Sequence, residues 1–233
     1  RSVATSHPTH VERLTGVPVA QQLAAVRLLA GAERSMTLSG RGAEQQSKGT
    51  DTVLALVNLM LALGKVGKPA SGYGCLTGQG NGQGGREQGQ KCDQLPGAGD
   101  LENPAHRDYI ARVWGVDESS IPHTGLSAVP LLEAIHAGRI KGLLLLCFNP
   151  AVSLPDGDFI REALGRLEHF AVIDFLMSET AHYADVVFPG SLMEEDEGTT
   201  TNVEGRVIHH RRVVRPPEGA REDWRIICDL AQR

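Results

Sequence analysis

The second half of the chain alternates short apolar runs with segments of helical period. Residues 140–148 form a continuous apolar run, as is typical of a strand that is buried on both faces. Helical periodicity follows over residues 158–167, and apolar runs at 170–173 and 185–188 predict two more strands. Strands that alternate with helices pair in parallel, because each connection crosses back over the sheet. We predict an α/β fold with a doubly wound, mainly parallel sheet, helices on both faces, and residues 140–148 at or near its centre.

Other segments with a clear period lie on both sides of this region. Several have the residues that begin or end helices, such as Asn103-Pro104 at one start and Gly64 and Gly115 at two ends. The remaining predicted elements are helices over 19–32, about 51–63, 104–115, 127–135 with Ser127 as its cap, and 220–232, a strand over 35–39, and a hairpin over 200–214.

Residues 64–99 are rich in glycine and show neither helical nor strand period. Such a stretch is either disordered or a shaped functional loop, whose backbone amides could approach an anionic or extended polar ligand. Its GQGNGQGG segment follows no predicted strand, so an ordinary NAD or ATP site is disfavoured. We read the stretch as a long loop within a single domain of residues 1–233, and we expect it to be partly disordered or misplaced in this chain.

Charge and cysteine usage exclude several classes of function. The net charge of -5 disfavours a nucleic-acid partner. No apolar run reaches the length of about 18 residues that a membrane span requires. The four cysteines are scattered without a CxxC spacing, so we predict no metal ligand among them and expect a reducing compartment such as the cytoplasm.

Polar residues follow several predicted strands at the sheet edge where ligands of open α/β folds bind. Arg41 comes after the first strand, and the acidic run 194–197 follows the last. Asn149 follows the apolar run 140–148 and could contact a ligand or begin a turn. Asp174 could bond a ribose or a purine edge, or simply cap a loop, and the pattern alone leaves both alternatives open. Residues 209–212 (HHRR) are most simply a solvated strand end.

Longer segments carry a resemblance to a known family. The chain contains, in order, GRGAEQQSKGTD, CLTGQGNGQGGREQGQKCDQLPG, CFNPAVSLPD, ADVVFPGSLMEEDEGTTTNVEGRV and GAREDW. Over about residues 11–233 these segments resemble the molybdopterin oxidoreductases, a superfamily that includes nitrate reductases and formate dehydrogenases. The first two segments are most similar to the assimilatory nitrate reductases. The resemblance implies the second half of a split Rossmann-like domain, hence a fragment of a larger catalytic subunit.

The resemblance also implies cofactors and partners. The complete enzyme would hold molybdenum between two molybdopterin guanine dinucleotides, with a [4Fe-4S] cluster in an N-terminal domain that this chain lacks. Its partners would be the missing domains of the same subunit and an electron-donor protein or subunit. The implied reaction is the two-electron reduction of nitrate to nitrite by oxygen-atom transfer. We expect this chain to be inactive alone.

Family positions that contact the cofactor can be carried over residue by residue. The matching residues are Arg41, Gln45, Asn149, Ile173, Asp174, Asp196 and Asp223. Ile173 stands where the family has Ser, and Asp196 stands where many relatives have Lys, so these two contacts are open to question. Arg41 replaces a Met of the periplasmic nitrate reductases, and it is the candidate catalytic residue. It could pair with Glu44, neutralise the pterin or phosphate charge, or attract nitrate through paired N–H donors.

Two other functions compete with nitrate reduction. Formate dehydrogenases share the scaffold but carry a Cys or selenocysteine followed by His in the remainder of the subunit. A non-catalytic docking or cofactor-handling module would lack the cluster cysteines and the C-terminal cofactor domain. The rest of the coding sequence would separate these hypotheses.

Overall fold

The computed structural model describes residues 6–76, 78–202 and 204–233. The chain divides into two compact units, Arg1–Gly80 and Asn81–Arg233, which are called here the N-terminal unit and the C-terminal unit. The expectation of one domain over the whole chain stays a prediction. In the part of the chain that is described, no helix is both long and apolar enough to cross a membrane.

The N-terminal unit contains a parallel pair of strands and the helices around it. In chain order its elements are α1 (Pro8–Thr15), α2 (Val19–Gly31), β1 (Met36–Gly40), α3 (Arg41–Glu44), α4 (Gly49–Ala62) and β2 (Gly72–Leu76). β1 and β2 pair in register from Met36↔Gly72 to Gly40↔Leu76. Gly64 has φ +64° just beyond the end of α4, as its position in the sequence predicts.

The C-terminal unit contains a three-stranded parallel sheet of β5 (Gly142–Leu146), β6 (His169–Asp174) and β7 (Val186–Pro189), with β6 in the middle. Two antiparallel hairpins, β3–β4 and β8–β9, accompany it. In chain order the elements are α5 (Gly82–Glu87), β3 (Gln94–Leu95), β4 (Gly99–Asp100), α6 (Pro104–Trp114), α7 (Ala128–His136), β5 (Gly142–Leu146), α8 (Pro150–Ser153), α9 (Gly157–Leu164), β6 (His169–Asp174), β7 (Val186–Pro189), β8 (Gly198–Thr201), β9 (Val207–His210) and α10 (Asp223–Ala231). The α/β class and the parallel pairing are therefore confirmed.

Strand β6 lies at the centre of the core of the C-terminal unit. Phe170 and Val172 point to one face, where they pack with buried residues of α7 and α9. Side chains alternate along a strand, so Ile173 points to the opposite face. Its register partner Phe188 lines a cavity there together with Ile226 of α10. Helices thus lie on both faces of this sheet, as predicted.

The prediction that residues 140–148 form a central strand is wrong. β5 is an edge strand of the described sheet, next to β6 only. Leu143 and Leu145 pack against the core, whereas Leu144 and Leu146 are exposed. A continuous apolar run shows that both faces of a strand are hydrophobic, but it does not encode how many neighbours the strand has.

The glycine-rich stretch 64–99 is also more structured than its composition suggests. It contains β2, α5 and the first strand of a hairpin, and only Thr77 falls outside the described residues. Polar side chains hold α5 in place. The Asn81 side chain accepts a hydrogen bond from the Thr201 N–H at 2.9 Å, and Glu87 accepts one from the Thr201 hydroxyl at 3.0 Å. Hydrogen bonds to β8 thus replace apolar contacts in residues 78–99, and the expectation that the stretch is partly disordered or misplaced stays a prediction.

A buried arginine organises the segment between β4 and α7. Arg107 of α6 is 4% exposed and forms an ion pair with Glu118. Its guanidinium also donates to the carbonyl oxygens of Leu101, Ile121 and Pro122 at 2.7–3.2 Å. One side chain thus closes the loop that follows the helix.

We expect Arg107→Met to lower the free energy of unfolding by about 3 kcal/mol, because several buried carbonyl groups would lose their donor. Arg112→Met, on the exposed side of the same helix, should change it by less than about 0.5 kcal/mol. Urea unfolding of both variants measures the difference. Equal losses would contradict the structural role of Arg107.

Candidate functional site

The C-terminal unit has a cavity of about 430 Å³ at the carboxyl ends of its parallel strands. Cys147 directly follows β5, Phe175 directly follows β6, and Ser191 lies two residues after β7, and all three line the cavity. Asp196 and Asp223, two of the residues predicted to bind the cofactor, line it as well. This is the edge of an open α/β sheet at which ligands are expected to bind.

Asp223 is held by hydrogen bonds on both carboxylate oxygens. Its Oδ1 accepts from the Ser191 N–H at 3.2 Å, and its Oδ2 accepts from the Cys147 thiol at 3.0 Å. A Cβ on Gly190 would lie 2.4 Å from Oδ1, so any larger residue there would displace the carboxylate. The position of Asp223 is therefore fixed from three sides.

The hydroxyl of Ser191 is buried without a hydrogen-bond partner among the described residues. Ser191 as a whole is 9% exposed, and it lines the same cavity as Asp223. Buried polar groups nearly always have a partner, so an unpaired hydroxyl at a cavity wall is a position where a ligand or a water can bond. The site thus offers one further polar contact beside the carboxylate.

The cavity has an excess of acidic side chains. Asp196, Glu197 and Asp223 line it, against a single His210. Within the described ranges no three or more His, Cys, Asp or Glu residues are grouped to hold a metal ion. The acidic wall of the cavity attracts hydrogen-bond donors and repels phosphate. His210 was expected only at a solvated strand end, so its position on this wall is a finding that the sequence pattern missed.

Cys147 has a left-handed backbone, with φ +49°. The residue is exposed at the cavity rim, yet its thiol lies close enough to the carboxylates of Asp223 and Asp174 to experience the charge of both. Partial loss of water around the thiol, the hydrogen bond to Asp223, and the charges of Asp223 and Asp174 raise the pKa of Cys147 to about 12. The group is therefore a protonated hydrogen-bond donor at neutral pH and a poor nucleophile.

The structure gives Asn149 an internal role. Its Oδ1 accepts hydrogen bonds from the N–H and the hydroxyl of Thr180, at 3.3 and 2.6 Å, and its Nδ2 donates to Glu179 at 2.7 Å. Thr180 is fully buried, and its hydroxyl in turn accepts from the Ala151 N–H at 3.1 Å. At most one amide N–H of Asn149 is left for a ligand. Its contact with the cofactor stays a prediction, while the turn-starting alternative has direct structural support.

Asp174 and Ile173 are similarly engaged in the fold. The Asp174 carboxylate accepts from the Leu176 N–H at 3.3 Å and from the Ser178 hydroxyl at 2.9 Å, so it caps the turn after β6. Ile173 is fully buried, and its carbonyl accepts a hydrogen bond from the Cys147 N–H at 2.9 Å. Neither Ile173 nor Asp174 is among the described residues that line the cavity. Their predicted contacts with the cofactor stay predictions.

Arg41 and Gln45 lie in the N-terminal unit, in the turn that follows β1. The Gln45 N–H donates to the Arg41 carbonyl at 2.8 Å, which closes the short helix α3, and the Gln45 side chain is exposed. Arg41 Nη1 lies 3.9 Å from Glu44 Oε2, longer than a hydrogen bond. A partly exposed pair at this distance contributes little stability, so the guanidinium remains available to an anion.

Glu44 belongs to a hydrogen-bonded cluster that the sequence did not reveal. Its Oε1 accepts from the hydroxyl of Ser39 at 3.0 Å and from the thiol of Cys75 at 2.9 Å. The Ser39 proton points to this carboxylate, so the Tyr73 hydroxyl, at 2.6 Å, must donate to Ser39. The hydrogen bonds from Cys75 and Ser39, with the charge of Arg41, lower the pKa of Glu44. The carboxylate beside Arg41 is therefore ionised at neutral pH.

Comparison with known proteins identifies the family. The family model named Molybdopterin oxidoreductase matches residues 6–233 of the chain. The chain belongs to the molybdopterin oxidoreductase family. The cavity at the strand ends is thus part of a protein whose family is defined by a molybdenum–pterin cofactor.

Several curated proteins are similar to the chain. The assimilatory nitrate reductase catalytic subunit of Bacillus subtilis (strain 168) is 55% identical over 197 residues, 84% of this chain and 28% of that protein. A nitrate reductase of Synechocystis sp. (strain PCC 6803) is 34% identical, over 97% of this chain and 32% of that protein. Formate dehydrogenase H of Escherichia coli (strain K12) is 32% identical, with the same two shares. The chain spans about a third or less of the length of these relatives.

Among solved structures, acetylene hydratase from Pelobacter acetylenicus is similar to part of the chain. The likeness covers 54% of this chain and 18% of that protein, with 23% sequence identity and a TM-score of 0.43.

We expect Thr180→Val to lower the free energy of unfolding by about 1–3 kcal/mol, because Asn149 and the Ala151 N–H would each lose a hydrogen-bond partner in a buried place. Thr199→Val, on an exposed position of β8, is the matched control and should change it by less than about 0.5 kcal/mol. Urea unfolding followed by circular dichroism measures both. If the two variants were equally stable, the Asn149–Thr180 contact would not have the role assigned to it.

Proposed function

We propose that the chain forms part of the cofactor site of an assimilatory nitrate reductase, and that its C-terminal cavity receives the guanine base of a molybdopterin guanine dinucleotide. The identity of 55% with a nitrate reductase subunit supports the enzyme class. The observation that carries the base assignment is the Asp223 carboxylate, fixed at a cavity wall beside the Ser191 hydroxyl, which has no partner among the described residues.

Guanine fits this wall better than adenine does. Each oxygen of Asp223 accepts one hydrogen bond from the protein and keeps one acceptor site. The N1–H and N2–H groups of guanine are adjacent donors that match two carboxylate oxygens. Adenine presents an acceptor at N1, which the carboxylate would repel. Asp196 and Glu197 strengthen this preference, and they also direct the phosphates of a dinucleotide away from the cavity.

Arg41 is proposed as the residue that draws an oxyanion to the active site. Its guanidinium has paired N–H donors that suit the planar nitrate ion, and its contact with Glu44 is too long to occupy it. Gln45, Asn149, Ile173, Asp174 and Asp196 remain proposed cofactor neighbours, for which the family resemblance is the support.

The molybdenum–pterin cofactor, when bound, would supply the redox chemistry of oxygen-atom transfer. Reduction of nitrate to nitrite and water takes up two electrons and two protons. We propose that the electrons come from a donor protein through a [4Fe-4S] cluster elsewhere in the subunit, that two guanine dinucleotides hold the metal, and that the enzyme acts in the cytoplasm. The residues of this chain would bind and orient the cofactor and attract the substrate.

Formate oxidation is the second candidate function. Formate dehydrogenase H is 32% identical over almost the whole chain, and formate is also a planar oxyanion that Arg41 could bind. The full-length enzyme should reduce nitrate with a viologen donor and should leave formate unoxidised. Formate-dependent dye reduction without nitrate reduction would favour the alternative.

Base recognition can be tested with the full-length subunit prepared without its cofactor. Equilibrium dialysis should rank the affinities as GDP above IDP above ADP, because IDP lacks the N2 donors and ADP also lacks the N1 donor. Asp223→Asn should weaken GDP binding by about 10- to 100-fold, the loss expected for a hydrogen bond to a charged group. Asp229→Asn, on the exposed side of the same helix, should leave it unchanged. Equal affinities for GDP and ADP would contradict the assignment of the cavity to a guanine base.

The role of Arg41 can be tested in the holoenzyme. Arg41→Met should raise the KM for nitrate, by at most about 100-fold, with the molybdenum content intact, because a charged hydrogen bond is lost. Arg27→Met, an exposed change on α2, is the control. Loss of molybdenum in Arg41→Met would assign the residue to cofactor binding instead. Unchanged KM and metal content would leave it only a structural contact with Glu44.

A further inference from the structure

We propose that Cys147 is a positioning residue for base recognition: its thiol holds the Asp223 carboxylate in the plane that presents both oxygens to a base. The inference rests on the proposed function, because it concerns how the same cavity recognises its ligand. A second feature of the same wall is independent of Cys147: the buried Ser191 hydroxyl has no hydrogen-bond partner among the described residues, so a ligand or a water can bond it.

The direction of each hydrogen bond is fixed by chemistry. An ionised carboxylate only accepts, so the Cys147 thiol must donate to Oδ2 while the Ser191 N–H donates to Oδ1. The backbone donor alone would leave the carboxylate free to turn about its Cβ–Cγ bond. A second donor on the other oxygen removes that rotation. Both oxygens then face the cavity with one acceptor site each, which is the arrangement a pair of adjacent N–H donors requires.

The backbone at Cys147 is shaped for this contact. Its φ of +49° lies in the left-handed region, which residues with a side chain adopt at a cost and glycine adopts freely. A glycine would relieve the strain, but it would remove the thiol from Asp223. A strained residue that contacts the key side chain of a cavity points to a role in binding rather than in folding.

The protonation state of the thiol agrees with the geometry. The raised pKa of Cys147, to about 12, keeps the donor proton on sulfur across the whole range in which an enzyme works. Removal of the negative charge of Asp223 would lower the pKa of the thiol and so raise its thiolate fraction. The contact between Cys147 and Asp223 can therefore be measured through the reaction rate of the thiol, in the absence of nucleotide.

The first test separates binding from stability in the cofactor-free full-length subunit. Cys147→Gly should weaken GDP binding about 3- to 10-fold, the effect of one modest hydrogen bond, while its Tm stays equal or rises because strain is relieved. Cys147→Ser, which keeps a donor, should bind GDP nearly as the parent does. Cys228→Ser, an exposed change on α10, is the control. Parent-like GDP affinity in Cys147→Gly, a lowered Tm, or failure of serine to rescue would each overturn the inference.

The second test reads the contact by alkylation with iodoacetamide at pH 8.5, followed by mass spectrometry of each cysteine. Cys147 should react more slowly than Cys92 and Cys228, and Asp223→Asn should accelerate it alone. The rate should rise about threefold for each unit by which its pKa falls, because a larger thiolate fraction is partly offset by a less nucleophilic thiolate. An unchanged rate at Cys147 would overturn the positioning role. The two proposals fail differently: a parent protein that binds GDP no better than ADP refutes the proposed function, whereas parent-like GDP affinity in Cys147→Gly, in a protein that does prefer GDP, refutes only this inference.

Discussion

The hydrogen bonds between Asn149 and Thr180 tie together the segments that follow β5 and β6, and the polar rim of the C-terminal unit depends on them. Thr180 is fully buried, and its N–H and hydroxyl both bond to the Asn149 side chain. Because the hydroxyl also accepts from Ala151, the start of α8 is fixed by the same residue. Two residues before Asn149, the N–H of Cys147 bonds to the Ile173 carbonyl and extends the pairing of the strands. The thiol therefore reaches the cavity from a rigid base.

This arrangement divides the polar residues at the strand ends into two groups. Asn149 and Asp174 satisfy hydrogen bonds of the turns and so build the rim. Asp223 lines the cavity together with Asp196 and Glu197, and its two oxygens are held by a backbone N–H and a thiol. The rim residues already have hydrogen-bond partners, and the Asp223 carboxylate has a fixed orientation. Such an arrangement suits recognition, because preorganised donors and acceptors lose little conformational freedom when a ligand binds.

The sequence predicts the positions of most helices and strands, but it does not predict which strands lie side by side. The period of the apolar residues located α2, α4, α6, α7, α9, β1 and β5–β7, since burial of one face leaves a clear trace, but it missed β2, β3 and β4 in the glycine-rich stretch. It could not show that β5 lies at an edge, because pairing depends on contacts distant in the chain. The predicted Ser127 cap of α7 makes no side-chain hydrogen bond, whereas Asn103 caps α6 as predicted. At the site, the family resemblance indicated Asp223, but no pattern signals a cysteine with a positive φ or an unpaired Ser191 hydroxyl.

The charge of the cavity bears on Asp196, the position at which the resemblance implies that many relatives have Lys. A lysine at that position would favour a phosphate, whereas Asp196 adds to the acids already present beside Asp223. A ligand with a base at one end and phosphates at the other can satisfy such a wall only with its base inward. Repulsion then acts on the phosphates and attraction acts on the donor edge, so both forces select one orientation. For the proposed dinucleotide, Asp196 would favour entry of the base end, and the cation that neutralises the phosphates would come from outside this wall.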